Sequence, residues 1–156
     1  MSAVKPIPEG FHSVTPYLII KDAAKAMDFY KQAFDAVELM RINGPGGSIA
    51  HGEIRIGNSP LMMGEEMPEM QHRGPLSLGG TSVSLMIYVE DVDAFFNRAV
   101  SAGAIVERPV ADQFYGDRSG TLRDPFGHVW HVATHKEDMP VEEMQRRATE
   151  MYAGAG

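Results

Sequence analysis

His51 and Glu53 are separated by one residue, and Arg55 follows at the same interval. The stretch Ile49–Ile56 alternates polar and apolar side chains, as a half-buried strand does, so all three leave one face. A Glu–His pair held this way can move a proton to and from a substrate. Joined by His131, it would also supply two imidazoles and a carboxylate, a common ligand set for divalent ions. The same row equally fits the solvent side of the strand, with an ion pair across its surface. His131 lies between Trp130 and Val132, so alternation places it on the opposite face from both. It is a candidate acid or base, or a hydrogen-bond donor to a substrate. A pocket histidine satisfied by a neighbouring hydroxyl would read the same way. Tyr17, Met86 and Tyr88 are expected to line a cleft, with Tyr115 and Arg118 at its mouth. Aromatic and Met walls with a few polar groups describe a small-molecule pocket. Arg118 could hold a carboxylate or phosphate through paired N–H bonds, or make a local ion pair with Asp117. His12, His72, His128 and His135 have weaker claims, because they fall in an extended arm, a linker, a turn and a strand end.

The elements that must position these residues occur twice. Thr15–Tyr30 and Ser84–Ala99 share a pattern, 69 positions apart (Thr15 to Ser84). Each reads as an apolar strand, an acidic helix start and a helix. The same offset lays Leu61–Met63 on Trp130–Val132, and Val37-Glu38 on Val106-Glu107. In the first copy a strand is expected over Val14–Lys21, with Asp22 as helix N-cap. Ala26, Phe29, Tyr30 and Ala33 then form one helix face. Strands follow at Val37–Ile42, Ile49–Ile56 and Leu61–Met63. In the second copy the strand is Val83–Val89 and Asp91 caps the helix. Val92, Phe95, Phe96 and Ala99 form its apolar stripe, and Gly103 ends it. Strands are expected at Ile105–Pro109, Arg118–Arg123 and His128–Thr134. Pro140 opens a last helix striped by Val141, Met144, Ala148 and Met151, which needs a surface to pack on.

This order, βαβββ twice, predicts an α+β fold of two tandem modules forming an incomplete barrel around a cleft. The boundaries are an arm at 1–12, the first module at 13–63, a linker at 64–80, the second module at 81–135 and a terminal helix at 136–156. The linker, rich in Glu, Met, Pro and Gly, is placed over the cleft. All of this belongs to one domain, as 156 residues suggest.

Composition narrows the function. A net charge of -7 without clustered Lys and Arg argues against nucleic acid. No apolar run is long enough to span a membrane. Zero cysteines exclude disulfides, thiolate metal sites and cysteine nucleophiles. With no secretory pattern at the start, a cytoplasmic location is expected. No glycine-rich phosphate loop or Gly-x-Ser-x-Gly elbow is present.

Six segments together resemble the vicinal oxygen chelate superfamily, which includes glyoxalase I, extradiol dioxygenases and bleomycin-resistance proteins. They are Thr15–Leu18, Asp28–Lys31, His51–Gly57, Tyr88–Asp93, Tyr115–Arg118 and Asp124–Trp130, and within the superfamily they resemble the PhnB-like branch. The resemblance covers roughly residues 11–138. It implies the fold above and a homodimer. It also implies four cleft-facing metal positions, which in this chain fall at Thr15, Met62, Ser84 and His131. Only His131 is a good ligand for a divalent ion, because hydroxyls are weak donors and a thioether suits soft ions. The family's four-ligand site is therefore expected to be absent, with no cofactor and a small organic molecule bound in the cleft. Three functions stay open. One is proton transfer by His131 with Glu53 or His51. Another is drug sequestration without catalysis, in which acidic surface charge would favour a cationic ligand. The third is a metal-dependent lyase, isomerase or dioxygenase with a displaced His51/Glu53/His131 site.

Overall fold

The computed structural model describes residues 3–155. Its contacts divide the chain into two units, Met1–Thr81 and Ser82–Gly156. The first unit contains β1 (Tyr17–Ile20), α1 (Ala23–Phe34), β2 (Val37–Asn43), β3 (Ile49–Ile56), β4 (Ser59–Glu65) and the short α2 (Pro75–Leu78). The second contains β5 (Ser84–Tyr88), α3 (Val92–Ala102), β6 (Ile105–Asp112), β7 (Asp117–Arg123), β8 (Val129–His135) and α4 (Val141–Gly154). The sheet orders are β1-β4-β3-β2 and β5-β8-β7-β6. In each, the first and last strands of the module run parallel and the other neighbours are antiparallel. Neither sheet closes into a barrel.

The internal repeat survives at the level of register. Tyr17 pairs with Met62 in the first unit, and Met86 pairs with His131 in the second. Both pairs obey the offset of 69 read from the sequence (17 to 86, 62 to 131). The helices are anchored alike. Asp22 and Asp91 accept from Lys25 and Ala94 backbone N–H as N-caps. The last strand then adds a second acceptor. Glu65 takes the Asp22 and Ala23 N–H groups at 2.9 Å each, while Thr134 Oγ1 takes Val92 N–H at 2.9 Å. Glu65 and Thr134 stand at the same offset, so different side chains satisfy the same orphan helix donors.

Each helix lies on one face of its sheet. In the first unit Ala23, Met27, Tyr30 and Phe34 bury against Ile20, Ile54 and Met63. In the second, Val92, Phe96 and Ala99 pack with Leu122, Trp130 and Val132. A Cβ on Gly52 would fall 2.7 Å from Met27 Sδ, and one on Gly120 would fall 2.6 Å from the Phe96 ring. Glycine in the central strand thus lets the helix residue seat on the sheet in both units.

Several expectations need correction. β1 begins at Tyr17, not Val14, because Pro16 has no N–H to give the ladder. Thr15 therefore lies outside the strand, although its counterpart Ser84 opens β5. β4 extends to Glu65, so the linker starts later than residue 64. The segment that follows packs back on the first unit. Glu66 N–H bonds Ile20 O at 3.0 Å, Gly74 N–H bonds Glu66 Oε1 at 2.8 Å, and Pro75 is buried. β6 continues past Pro109 to Asp112, with register shifts between Val106 and Ala111. The terminal helix forms as expected, but none of its residues is fully buried.

Candidate functional site

Alternation divides the side chains of the second sheet. Leu85, Trp130, Val132 and Leu122 turn to α3, and Ser84, Met86, His131, Ser119 and Thr121 turn to the opposite face. Four strands contribute one cross-strand row on that face. Met86 pairs with His131, His131 with Thr121, and Thr121 with Arg108. The row lines a cavity of about 230 Å³, completed by Gln113, Tyr115, Ser119 and Gly120. This lies below the roughly 300–1,000 Å³ common for drug-sized ligands, so a smaller molecule fits it.

His131 is half-buried and bonded at both ring nitrogens. Nδ1 lies 2.8 Å from Thr121 Oγ1, and Nε2 lies 3.0 Å from Ser84 Oγ. A hydroxyl can donate or accept, so either neutral tautomer is satisfied in place. Switching tautomer requires one nitrogen to lose its proton and the other to gain one from an outside donor, and the two hydroxyls can rotate to bond either form. Both ring nitrogens of His131 are therefore satisfied by neighbouring hydroxyls.

Met86 and Tyr115 are among the residues that line this cavity, and Tyr88 and Arg118 are not. The Tyr88 phenol donates to Asp117 Oδ2 at 2.8 Å. Asp117, only 5% exposed, holds His135 Nδ1 through its other oxygen at 2.8 Å, and His135 Nε2 meets Asp138 at 2.8 Å. The hydrogen bond to Asp117 raises the Tyr88 pKa, and Asp117 followed by Asp138 raises that of His135. Arg118 points the other way from Asp117 along β7. It grips Asp93 of α3 with two bonds, 2.8 and 2.9 Å, and Asp112 with a third at 3.2 Å. It is a tie between sheet and helix, and the expected Asp117–Arg118 pair is replaced by Asp117–His135 and Asp93–Arg118. Trp130 is in the core, and its Nε1–H donates to buried Asp124 at 2.8 Å.

The open face of the first sheet carries a different group. Tyr17 Oη lies 3.0 Å from His51 Nδ1, and His51 Nε2 lies 3.0 Å from Glu53 Oε1. A carboxylate can only accept, so an ionised Glu53 pairs with the tautomer that carries its proton on Nε2, whose Nδ1 accepts from the phenol. The His51 and Glu53 side chains are 24% and 14% exposed, so this row is not a plain solvent face. Met62 pairs with both Tyr17 and Glu53 and so sits beside them. Arg55 is exposed and lies outside the chain of bonds.

The metal question can be put to the donors themselves. Of the four positions the resemblance implies, Thr15 and Met62 offer a hydroxyl and a thioether in the first unit. Ser84 and His131 lie together in the second, with the hydroxyl bonded to the imidazole. This donor set does not fit Zn, Fe or Mn. His51 and Glu53 are engaged with each other and with Tyr17. Among the described residues, no three His, Asp or Glu side chains group as metal ligands.

Two βαβββ modules, each a four-stranded mixed sheet with its helix on one face, define the class of fold. The chain belongs to the Glyoxalase/Bleomycin resistance protein/Dioxygenase superfamily, whose sequence model matches residues 10–132. It is 43% identical over 136 residues to an uncharacterized protein of Mycobacterium tuberculosis (H37Rv), spanning 85% of this chain and 80% of that one. Among solved structures, TioX from Micromonospora sp. ML1 superposes with a TM-score of 0.62 at 25% identity, covering 83% of this chain and 100% of that chain. The PhnB protein from Bacillus cereus shares the fold, with a TM-score of 0.62 at 18% identity over 79% of this chain and 99% of its own.

Sequence reasoning missed Arg108, Gln113 and Thr121 in the cavity and Asp117 behind Tyr88. The alternation of β7 could have found Thr121 and Asp117. Arg108 had no such signal, because the bulges in β6 break its alternation.

Proposed function

We propose that this protein binds a small organic molecule in the cavity of its second unit, with His131 exchanging a hydrogen bond or proton with it, and without the superfamily's four-ligand metal site. The observation that carries this is the row Met86, His131, Thr121 and Arg108 lining one cavity. It combines an apolar wall, a proton-exchanging group, a hydroxyl and a cation, the mixture expected of a specific small-molecule pocket. The donor chemistry at Thr15, Met62, Ser84 and His131 supports the metal-independent part of the reading.

A second reading rests on Tyr17, His51 and Glu53. Glu53 orients His51, and His51 takes the hydrogen bond of the Tyr17 phenol. This arrangement suits general acid–base chemistry on the first sheet's open face, in which Tyr17 is the group presented to a substrate.

The test is a library of small carbonyl compounds and drugs screened by NMR against the protein with isotope-labelled histidines. Hits are expected to move the His131 ring signals, and His131→Ala is expected to abolish turnover of any converted hit while retaining its binding. Hits that move His51 and leave His131 untouched would transfer the function to the first unit.

A further inference from the structure

The cavity holds one charged side chain, Arg108, and no carboxylate among the residues that line it. Four other arginines of the second unit are committed to acids: Arg118 to Asp93 and Asp112, Arg123 to Glu107, Arg146 to Glu143 and Glu150, and Arg147 to Glu137 and Glu143. Arg108 makes no ion pair among the described residues. In a chain of net charge -7, a cation left without a carboxylate at the edge of a polar cavity is unexpected.

Local structure explains how it comes to be there. β6 shifts register between Val106 and Arg108 and again between Arg108 and Ala111. Bulges of this kind re-aim a side chain relative to regular alternation. They bring Arg108 into register with Thr121, which pairs in turn with His131. Neighbouring strands lie about 4.8 Å apart, so Arg108 and His131 are two steps, roughly 10 Å, from each other across the sheet. A molecule of a few heavy atoms would bridge the guanidinium and the imidazole.

We propose that the ligand of this cavity is a small organic acid, whose carboxylate or similar planar anion is held by Arg108 while its uncharged body lies over Thr121 and His131 against Met86. This rests on the reading of the cavity as the binding site and adds the charge of what it binds. The guanidinium offers paired, parallel donors that match a carboxylate. The cationic ligand suggested by overall acidity is disfavoured at this place, because Arg108 would repel it. Surface charge sets what approaches the protein, whereas the lining residues set what stays.

Benzoate and benzamide test this, since they share shape and differ in charge. Each is titrated into the protein, and the His131 ring signals are followed by NMR. In the wild type, benzoate is expected to shift His131 and bind at least about tenfold more tightly than benzamide, an effect weakened by added salt because Arg108 is exposed. In Arg108→Gln, benzoate affinity is expected to fall about tenfold to the level of benzamide. The fold of that variant is checked by its unchanged Trp130 indole signal. Equal binding of the two probes, or benzoate binding unaltered in Arg108→Gln, overturns the acid proposal and leaves the cavity reading standing. Failure of both probes to move His131 overturns both.

Discussion

The histidines of this chain differ in what their neighbours allow them to do. His131 sits between two hydroxyls, which place no charge on it and leave both tautomers open. His51 lies between a carboxylate and a phenol, and an ionised carboxylate favours the tautomer with its proton on Nε2. His135 is held between Asp117 and Asp138, and Asp117 is in turn held by Tyr88. Both carboxylates raise its pKa, Asp117 more strongly. Folding therefore favours protonated His135. The stabilisation from this cluster is fully present below the unfolded value near 6.5 and is lost as pH rises through the higher folded value. The His135 ring should titrate above 6.5 by NMR, and Asp117→Asn should bring it back down. A His135 titration unchanged in Asp117→Asn would show that the cluster is not coupled in this way.

At the scale of elements, the two halves reach one geometry through different chemistry. Beyond the Asp22 and Asp91 caps, the second acceptor is a carboxylate, Glu65, at the start of α1 and a hydroxyl, Thr134, at the start of α3, and both reach in from the last strand of the module. Thr134 Oγ1 also donates to Val89 O at 2.9 Å, so one hydroxyl closes the end of β5 and the start of α3 together. Thr134 is buried, and removing it leaves a donor and an acceptor without their partner. Thr134→Ala should cost about 1–2 kcal/mol in a denaturant melt, in the range of a lost helix cap. Thr134→Ser keeps the hydroxyl and should recover most of that. Equal losses in the two variants would assign the effect to the missing methyl instead.

For the whole molecule, superfamily membership sets the fold but not the chemistry, since one fold hosts many reactions. The donors decide that part. Thr15, Met62 and Ser84 are poor partners for a hard or borderline ion, and His131 alone does not hold one firmly. Protein purified without an affinity tag should contain less than stoichiometric Zn, Mn, Fe or Ni by elemental analysis, and should not take them up on titration. Stoichiometric metal that disappears in His131→Ala would replace the present reading with a metal-dependent one.

The sequence by itself determined the repeat, the βαβββ order and the facing of most strands. These are local matters, since hydrophobic period and capping residues act within a few positions. Ile49–Ile56 alternates cleanly, and its strand has the expected bounds. The offset of 69 likewise carried through to the register of Tyr17 with Met62 and Met86 with His131 (17 to 86, 62 to 131). What the tertiary structure decided is which polar group meets which. Asp117 and Arg118 are adjacent in sequence, yet strand pleating sends one to His135 and the other to Asp93 on α3. Arg108 enters the cavity because bulges in β6 re-aim it, and a bulge depends on the partner strand as well as on the residues that carry it. The helix-seating glycines, Gly52 and Gly120, are also invisible as such until Met27 and Phe96 are seen pressing on them. Periodicity tells a side chain which side of the sheet to take; only the assembled strands supply its partner there.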